Sequence, residues 1–206
     1  MRKSPSPAIG TKGVPRAERE AEILDAACRE FGEQGYEHGS VARIAAACDI
    51  SRALVYEYFG SRDGLHERCV RAVGDPLVTA VTAAQTSPDP GIRAQATISA
   101  ILTQLEERRS DWHVIYDPTL PRSAAGYAVA QGYRERLNRL GAEGVRAVND
   151  TRDALDLSLL THLWYGTVSS TISWWQRHPD ESAASLADRW HRLFAMSTVV
   201  ANNRSK

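Results

Sequence analysis

The segment from Ser40 to Leu65 constrains the fold of this chain more than any other part of the sequence. It reads as two short helices joined by a tight turn. Ser40 can cap the first helix, because its hydroxyl can accept a hydrogen bond from a backbone N–H two or three residues later. One apolar stripe runs along that helix, formed by Val41, Ile44, Ala45 and Cys48. Asp49 tolerates a left-handed backbone and Ser51 can cap the second helix, so the spacing predicts a helix-turn-helix unit.

The second helix has an outer face that suits a DNA major groove. Val55 and Phe59 lie four residues apart and are expected to face inward. The outer face is then left to Arg52, Ala53, Leu54 and Tyr56. An arginine can reach guanine O6 and N7, alkyl groups can meet a thymine methyl, and a phenol can bind a phosphate. The alternative is that the two helices form an ordinary packing corner without a ligand.

The flanking segments complete a small helical domain. Residues 15–34 form an amphipathic helix whose buried stripe consists of Ile23, Leu24, Ala27 and Phe31. Gly35 is the expected left-handed cap of this helix, and Ser61 can cap the helix that follows the unit. That following helix carries Leu65, Cys69 and Val73 on one face.

Three stretches together carry a resemblance to a known family. ILDAACREFGEQGY, SVARIAAACDIS and LVYEYFGSRDGL resemble the N-terminal DNA-binding domain of the TetR family of transcriptional regulators, over about Arg16 to Val70. The resemblance implies a homodimer of all-α subunits that binds double-stranded DNA. Asp49 stands where the family commonly has glycine, and Ala53-Leu54 where Gly-Thr is common. The predicted DNA-binding residues are Ser40, Val41, Ala42, Arg43, Ser51, Arg52, Ala53, Leu54, Tyr56, Tyr58 and Arg62.

The remainder of the chain reads as helices separated by short breaks, without strand-like alternation. The breaks are Gly74-Asp75-Pro76, 87–91, 118–123, Asn149-Asp150 and His178-Pro179, and they predict helices near 77–86, 91–109, 123–148, 152–177 and 181–203. The fold class is therefore all-α: an N-terminal three-helix helix-turn-helix domain followed by a C-terminal helical bundle for ligand binding and dimerisation. The expected division is 1–14 as a flexible basic arm, 15–62 as the DNA-binding domain and 63–206 as the regulatory domain. The resemblance implies that the helix over 61–73 acts as the lever between the domains, with Gly74-Asp75-Pro76 as its flexure point.

The last two helices carry apolar and small residues at helical spacing, which favours contact with another helix. In agreement, the resemblance implies dimerisation through the last two long helices. The predicted interface consists of Leu159, Leu163, Gly166, Ser170, Leu186, Trp190, Leu193, Phe194 and Ser197. The alternative is that these residues belong to the core of a single subunit. A two-fold dimer would require a roughly palindromic operator.

Aromatic residues on the middle helices suggest a pocket for a small-molecule effector, because such pockets are mostly apolar with a few orienting polar groups. The predicted lining is Trp112, His113, Tyr116, Tyr127, Gln131, Tyr133, His162 and Trp164. The alternative is that these aromatic side chains are ordinary core residues. A metal site built from His113, His162 and His178 is less favoured, because no acid or thiol is spaced to join them.

Composition narrows the class of protein. The chain has 25 basic and 25 acidic residues among 206, so a nonspecific coat on nucleic acid is disfavoured. Arg2, Lys3, Lys12 and Arg16 make the N-terminal segment locally basic, as either an arm on DNA or a solvated tail. Cys28, Cys48 and Cys69 lack metal-binding spacing and are expected to be buried reduced thiols. We expect a cytoplasmic protein without a membrane partner, since no signal peptide or spanning segment is evident.

Catalytic and cofactor motifs are not recognisable in the sequence, so neither an enzyme nor a cofactor is predicted. The predicted function is that of a dimeric repressor released from a palindromic operator by a small-molecule ligand, with repression implied by the resemblance. Two alternatives remain: an all-α enzyme, or a helical scaffold that binds only protein. Either would leave the outer face of the helix-turn-helix without a role.

Overall fold

A computed structural model describes residues 14–148 and 153–203, and the helices account for most of these. In chain order the helices are α1 (Arg16–His38), α2 (Val41–Ala47), α3 (Arg52–Phe59), α4 (Arg62–Ala83), α5 (Pro90–Leu105), α6 (Asp111–Tyr116), α7 (Ala125–Val148), α8 (Ala154–Gln176) and α9 (Ala183–Asn203). A short 3₁₀ turn, Ala84–Thr86, follows α4. The described residues contain no strand, and the all-α prediction is confirmed. The N-terminal arm up to residue 13 and the Asn149-Asp150 break lie outside the described residues.

The helix-turn-helix forms as its caps predict. The Ser40 hydroxyl accepts from the Arg43 N–H, and the Ser51 hydroxyl accepts from the Leu54 N–H at 3.2 Å. Asp49 has φ 52° in the turn between α2 and α3, in the left-handed region that the sequence led us to expect. Val55 is fully buried, so the opposite side of α3 faces outward.

The predicted break at Gly74-Asp75-Pro76 is wrong, because α4 runs through it as one helix to Ala83. Proline in a helix interior removes one backbone hydrogen bond, but Pro76 lies exposed on the outer side of α4. Val73 and Leu77 are buried on either side of it, and their burial holds the helix in register. Gly74 packs directly on the Tyr133 ring of α7, so this stretch is packed rather than a flexure point.

The predicted single helix over 91–109 is also wrong, because α5 ends at Leu105 and α6 starts only at Asp111. Arg109 explains the break. Its guanidinium lies 4.1 Å from the centre of the Trp175 ring and donates to four carbonyls around the turn between α8 and α9. The four acceptors are the carbonyl oxygens of Trp175, His178, Pro179 and Glu181. A continuous helix could not hold Arg109 in this position, so a tertiary contact overrides the local preference.

The core extends from the three N-terminal helices into the bundle. Helix α4 packs on both α1 and α7 and therefore belongs to both halves of the molecule. Cys28, Cys48 and Cys69 are buried and are not joined in disulfides, as the sequence predicts. No helix in the described part of the chain is both long and apolar enough to cross a bilayer.

Candidate DNA-binding surface and ligand cavity

The outer side of α3 presents a small exposed surface that we call the recognition face, formed by Arg52, Ala53 and Tyr56. Ala42 is exposed on the preceding helix, α2. Tyr56 is 43% exposed although it is a large aromatic residue. Among the described residues, Arg52 has no carboxylate or hydrogen-bond partner for its guanidinium. Because Arg52 starts α3 immediately after the Ser51 cap, its charge projects from a rigid helix end. This arrangement can donate hydrogen bonds to an external acceptor without first breaking an internal ion pair.

The other two predicted DNA-binding cations, Arg43 and Arg62, are engaged within the protein. The Arg43 guanidinium donates to Glu30 Oε1 at 2.8 Å from Nε and to the His38 carbonyl at 2.8 Å. Glu30 thereby raises the pKa of Arg43. Arg62 donates to the carbonyls of Tyr36 and Gly39, so it ties the end of α1 to the start of α4.

The remaining predicted DNA-binding residues have mixed placements. Val41 is buried in the core of the domain, and Leu54 is half-buried. Ser40 and Ser51 are helix caps. Tyr58 is half-buried, with the Arg16 guanidinium 4.8 Å above its ring. Among the predicted DNA-binding residues, four are exposed and make no side-chain hydrogen bond or ion pair within the described part of the chain: Ala42, Arg52, Ala53 and Tyr56.

The end of α6 is joined to the N-terminal domain by a buried carboxylate. Asp117 Oδ2 accepts from the Tyr36 backbone N–H at 2.5 Å, and Oδ1 accepts from the N–H and hydroxyl of Thr119. Tyr36 follows Gly35, whose φ of 73° bends the end of α1. We call the bond between Asp117 and Tyr36 the α1–α6 link. Its partners are 81 residues apart, so no local sequence pattern indicates this link.

His66 lies beside this link and is almost fully buried. Its ring meets Phe31 and Tyr36 edge-on, with centroids 5.0 and 4.9 Å away. Neither ring nitrogen has a hydrogen-bond partner among the described residues. A Cβ built on Gly126 of α7 would lie 2.5 Å from Nδ1, so the ring is tightly enclosed. Burial lowers the pKa of His66 to about 4, against the opposing charge of Asp117.

Three of the predicted pocket residues line one cavity between α6 and α8, of about 390 Å³. Trp112 stacks on Tyr116 at 4.2 Å, and Tyr116 stacks on Tyr165 of α8 at 4.9 Å. His113 also lines the cavity. Burial raises the pKa of Tyr116 well above its usual value, so the phenol stays neutral.

The structure does not bring the other predicted pocket residues to this cavity. Tyr133 donates to Asp75 Oδ1 at 2.6 Å, and burial together with that hydrogen bond raises the pKa of Tyr133 to about 12. Gln131 donates to Glu135 within α7, and Tyr127 packs against the core. Trp164 packs edge-on against Trp190, whereas His162 lines a separate groove between α8 and α9. Helical periodicity predicted a buried face for each of these five residues, but it does not determine which helix faces pack against one another. In the described part of the chain, no three His, Cys, Asp or Glu side chains cluster closely enough to hold a metal ion.

Helices α8 and α9 expose a row of large apolar side chains. Leu159, Leu163 and Leu193 are 58%, 55% and 63% exposed, and Leu155 on the same stripe of α8 is 80% exposed. The groove between the two helices also includes Gly166, Ser170, Leu186 and Trp190 from the predicted interface. Phe194 and Ser197 lie outside the residues whose side chains are described.

Comparison with known proteins shows which family the N-terminal part of the chain resembles. A sequence model for "Bacterial regulatory proteins, tetR family" matches residues 23–69. The match covers most of α1, all of α2 and α3 and the first eight residues of α4, so it includes the recognition face. Residues 23–69 are therefore similar to tetR-family regulatory proteins. A TetR-like transcriptional regulator from Rhodococcus sp. RHA1 has the same fold, with TM-score 0.66 and 25% identity over 90% of this chain and 98% of that one. The tetR likeness therefore extends in fold beyond the N-terminal domain.

Two further relatives carry informative descriptions. The HTH-type transcriptional regulator BetI of Burkholderia cenocepacia (strain HI2424) is 32% identical over 46% of this chain and 47% of its own length. AibR, solved in complex with isovaleryl coenzyme A and operator DNA, is 19% identical with TM-score 0.70, over 85% of this chain and 97% of that one. The chain spans about half the length of the BetI protein it matches in sequence.

Proposed function

We propose that this protein is a sequence-specific DNA-binding transcriptional regulator, a dimeric repressor that a small molecule releases from a palindromic operator. The observation that carries the proposal is the recognition face. Arg52 projects from the capped start of α3 without an internal partner among the described residues, and Ala53 and Tyr56 flank it in the open. A surface of this composition matches the donor and methyl pattern of a major groove and the acceptors of a phosphate backbone. We retain 15–62 as the DNA-binding domain and 63–206 as the regulatory domain, with α4 shared between them.

The descriptions of similar proteins support the proposal of a DNA-binding regulator with an effector. BetI is named as a transcriptional regulator, and AibR was solved with both an acyl coenzyme A and operator DNA. Both descriptions concern those proteins. They favour a protein whose N-terminal domain binds DNA and whose C-terminal domain binds an effector.

Communication between the cavity and the DNA-binding domain would pass through the end of α6. Tyr116 lines the cavity, and the next residue, Asp117, makes the α1–α6 link. Arg134 of α7 fixes this corner by donating to the Ile115 carbonyl at 2.6 Å and the Asp117 carbonyl at 3.3 Å. A ligand that displaces Tyr116 would therefore move the residue that holds the end of α1. The ligand must bind the DNA-free state more tightly, by about 1–3 kcal/mol in typical coupled systems.

Selection of genomic DNA fragments by the purified full-length protein, followed by sequencing, tests the function. We expect enrichment of fragments that share a near-palindrome. A folded protein that enriches nothing at low salt, with and without cell extract as a source of effector, would contradict the proposal. That result would favour the all-α enzyme or the protein-binding scaffold.

Arg52→Ala is expected to weaken binding to the selected site by about 1–3 kcal/mol and to relax the preference at one base position. The reason is that a guanidinium bound to a base edge reads sequence as well as adding affinity. Binding to the selected site and to its single-base variants measures both effects. Tyr56→Phe is the matched variant, which should weaken all sites similarly because a phosphate contact carries no sequence information. Unchanged base preferences in Arg52→Ala would reject the role of Arg52.

The dimer that we propose buries the exposed leucines of α8 and α9 against the same helices of a second copy. The leucines at 155, 159 and 163 recur every four residues, which is one stripe of a helix. Leu193 extends the apolar surface onto α9. Two copies of such a pair form a four-helix contact around a two-fold axis, and the same surface serves both copies.

Leu159→Glu combined with Leu163→Glu is expected to convert the dimer to a monomer, because two carboxylates would have to be desolvated in the interface. Light scattering coupled to size-exclusion chromatography measures the mass. Ile92→Glu is the matched control, since Ile92 is a similarly exposed apolar side chain (54%) on α5 and belongs to neither α8 nor α9. A double variant that stays dimeric, or an Ile92→Glu variant that dissociates, would contradict the proposed interface.

A further inference from the structure

The cavity between α6 and α8 is aromatic at one end and positively charged at the other. Tyr165, Ser169 and Ser173 of α8 and Arg177, the residue directly after α8, are spaced every four residues and line the cavity as one stripe. The stripe begins at the aromatic end, passes two hydroxyls and finishes at a guanidinium. Trp112 Nε1 donates to Ser169 Oγ at 3.2 Å, which holds the indole of α6 against this stripe.

The aromatic end is built for a flat apolar group. The rings of Trp112, Tyr116 and Tyr165 form a row with centroid separations of 4.2 and 4.9 Å and interplanar angles of 21° and 30°. Rings stacked in this way leave edges and an outer face for a further aromatic ring. Burial keeps Tyr116 uncharged, so this end does not attract a cation through a phenolate.

The other end is built for an anion. Arg177 Nη1 donates to Ser173 Oγ at 3.2 Å, so its guanidinium reaches back one turn toward the aromatic end. Within the residues described, Arg177 forms no ion pair, whereas Arg189 on α9 is paired with Glu181 at 2.9 Å. A guanidinium flanked by serine hydroxyls offers several donors to a carboxylate. His113 lines the same cavity and adds a further donor or acceptor.

We infer that this cavity binds an aromatic carboxylate, with its ring against the Trp112–Tyr116–Tyr165 row and its carboxylate at Arg177. The Trp112 indole meets α8 at Ser169 and the Arg177 guanidinium meets it at Ser173, one turn later. The rise over that turn is about 6 Å, which fits a ring joined to a carboxylate by a two-carbon linker. The cavity volume of about 390 Å³ is within the range of small-molecule sites. This inference rests on the proposed function, because it names the class of effector that the regulator would sense.

Isothermal titration of the full-length protein with 3-phenylpropanoate and with its neutral amide, 3-phenylpropanamide, tests the inference. We expect the carboxylate to bind about tenfold more tightly than the amide, the typical value of one charge-assisted hydrogen bond. Arg177→Gln should bring both probes to the same weak affinity. Arg139→Gln, which removes an exposed charge from α7, should leave the discrimination unchanged. Tyr165→Leu should weaken both probes in parallel, because it alters the aromatic end alone.

Equal affinity for the two probes in the unaltered protein would overturn the inference, as would discrimination that persists in Arg177→Gln or no binding of either probe. Thermal melting of each variant checks that it is folded. The same preparations are used for the DNA selection, which separates the two proposals. Operator enrichment without probe binding removes only the effector class, whereas the expected probe pattern without DNA enrichment keeps the cavity assignment and removes the regulator.

Discussion

Trp175→Ala is expected to lower the free energy of unfolding by about 3–5 kcal/mol, the largest single loss that we predict for this protein. Trp175 is fully buried, its indole N–H donates to the Glu181 carbonyl at 2.7 Å, and the Arg109 guanidinium stacks on its ring. Removing the ring leaves a large cavity and removes the surface on which Arg109 organises the turn between α8 and α9. Urea denaturation followed by circular dichroism, at fixed protomer concentration, measures the loss.

The neighbouring residue provides the matched control for this prediction. Trp174 is only half-buried and stacks on His178 at 3.8 Å, so Trp174→Ala should cost clearly less. Trp175→Phe should also cost less than Trp175→Ala, because the ring persists and the Glu181 carbonyl still accepts from Arg109. A Trp175→Ala variant no less stable than Trp174→Ala would contradict the central role of this ring.

Two buried groups should change the stability of the protein in opposite directions as pH falls. The pKa of His66 is about 4 in the folded protein against an ordinary 6.5, because burial disfavours the imidazolium more than Asp117 and Asp63 favour it; Arg62 adds to the lowering. Between pH 6.5 and 4 the unfolded chain therefore binds a proton that the native chain does not. This difference destabilises the native state on acidification by about 3 kcal/mol in all, and the loss is complete below pH 4.

Asp111 should act in the reverse sense. Burial raises the pKa of Asp111 from its ordinary 3.8 to about 6, although Arg108 Nε lies 3.0 Å from its Oδ2 and opposes the shift. Its Oδ1 has no hydrogen-bond partner among the described residues. Between pH 6 and 3.8 the native carboxyl binds a proton that the unfolded chain does not, so acidification stabilises the native state by about 3 kcal/mol. The two contributions nearly cancel over this range.

Single variants make the cancellation visible. As pH falls from 6.5 to 4, the free energy of unfolding of Asp111→Asn should decrease by about 3 kcal/mol relative to that of the unaltered protein. Over the same range, that of His66→Leu should increase by about 3 kcal/mol relative to the unaltered protein. Urea denaturation at several pH values gives these slopes. The exposed pair of Glu181 and Arg189 contributes equally to all three proteins and drops out of the comparison. Parallel slopes for the two variants would show that His66 and Asp111 do not titrate as described.

The helix-turn-helix could be predicted from the sequence because its determinants are local. The Ser40 and Ser51 caps act on backbone groups three residues away, and Asp49 adopts its left-handed conformation within a single turn. Burial of Val55 follows from its spacing with Phe59 on one helix. Interactions of this range are specified by neighbouring residues, so the pattern alone identified which side of α3 lies outside.

The paired cations and the cavity could not be predicted in the same way. Arg43 and Arg62 look like DNA-binding residues in the sequence, but Glu30 and the carbonyls of Gly39 and Tyr36 engage them in the folded chain. The stripe from Tyr165 to Arg177 is readable as a helical face. The contact of this stripe with Trp112 and Tyr116 cannot be predicted from the sequence, because it depends on how α6 packs against α8.

The sequence by itself therefore determined the helix caps, the turn, the apolar stripes and the family resemblance, all of which depend on residues within a few turns of one another. Only the tertiary structure decided that α4 continues through Pro76, that α5 stops before Arg109, and that Asp117 holds the Tyr36 amide. The physical reason is the same in each case. Burial against a distant helix, or hydrogen bonds to a distant carbonyl or amide, contributes more free energy than the local preference that it overrides.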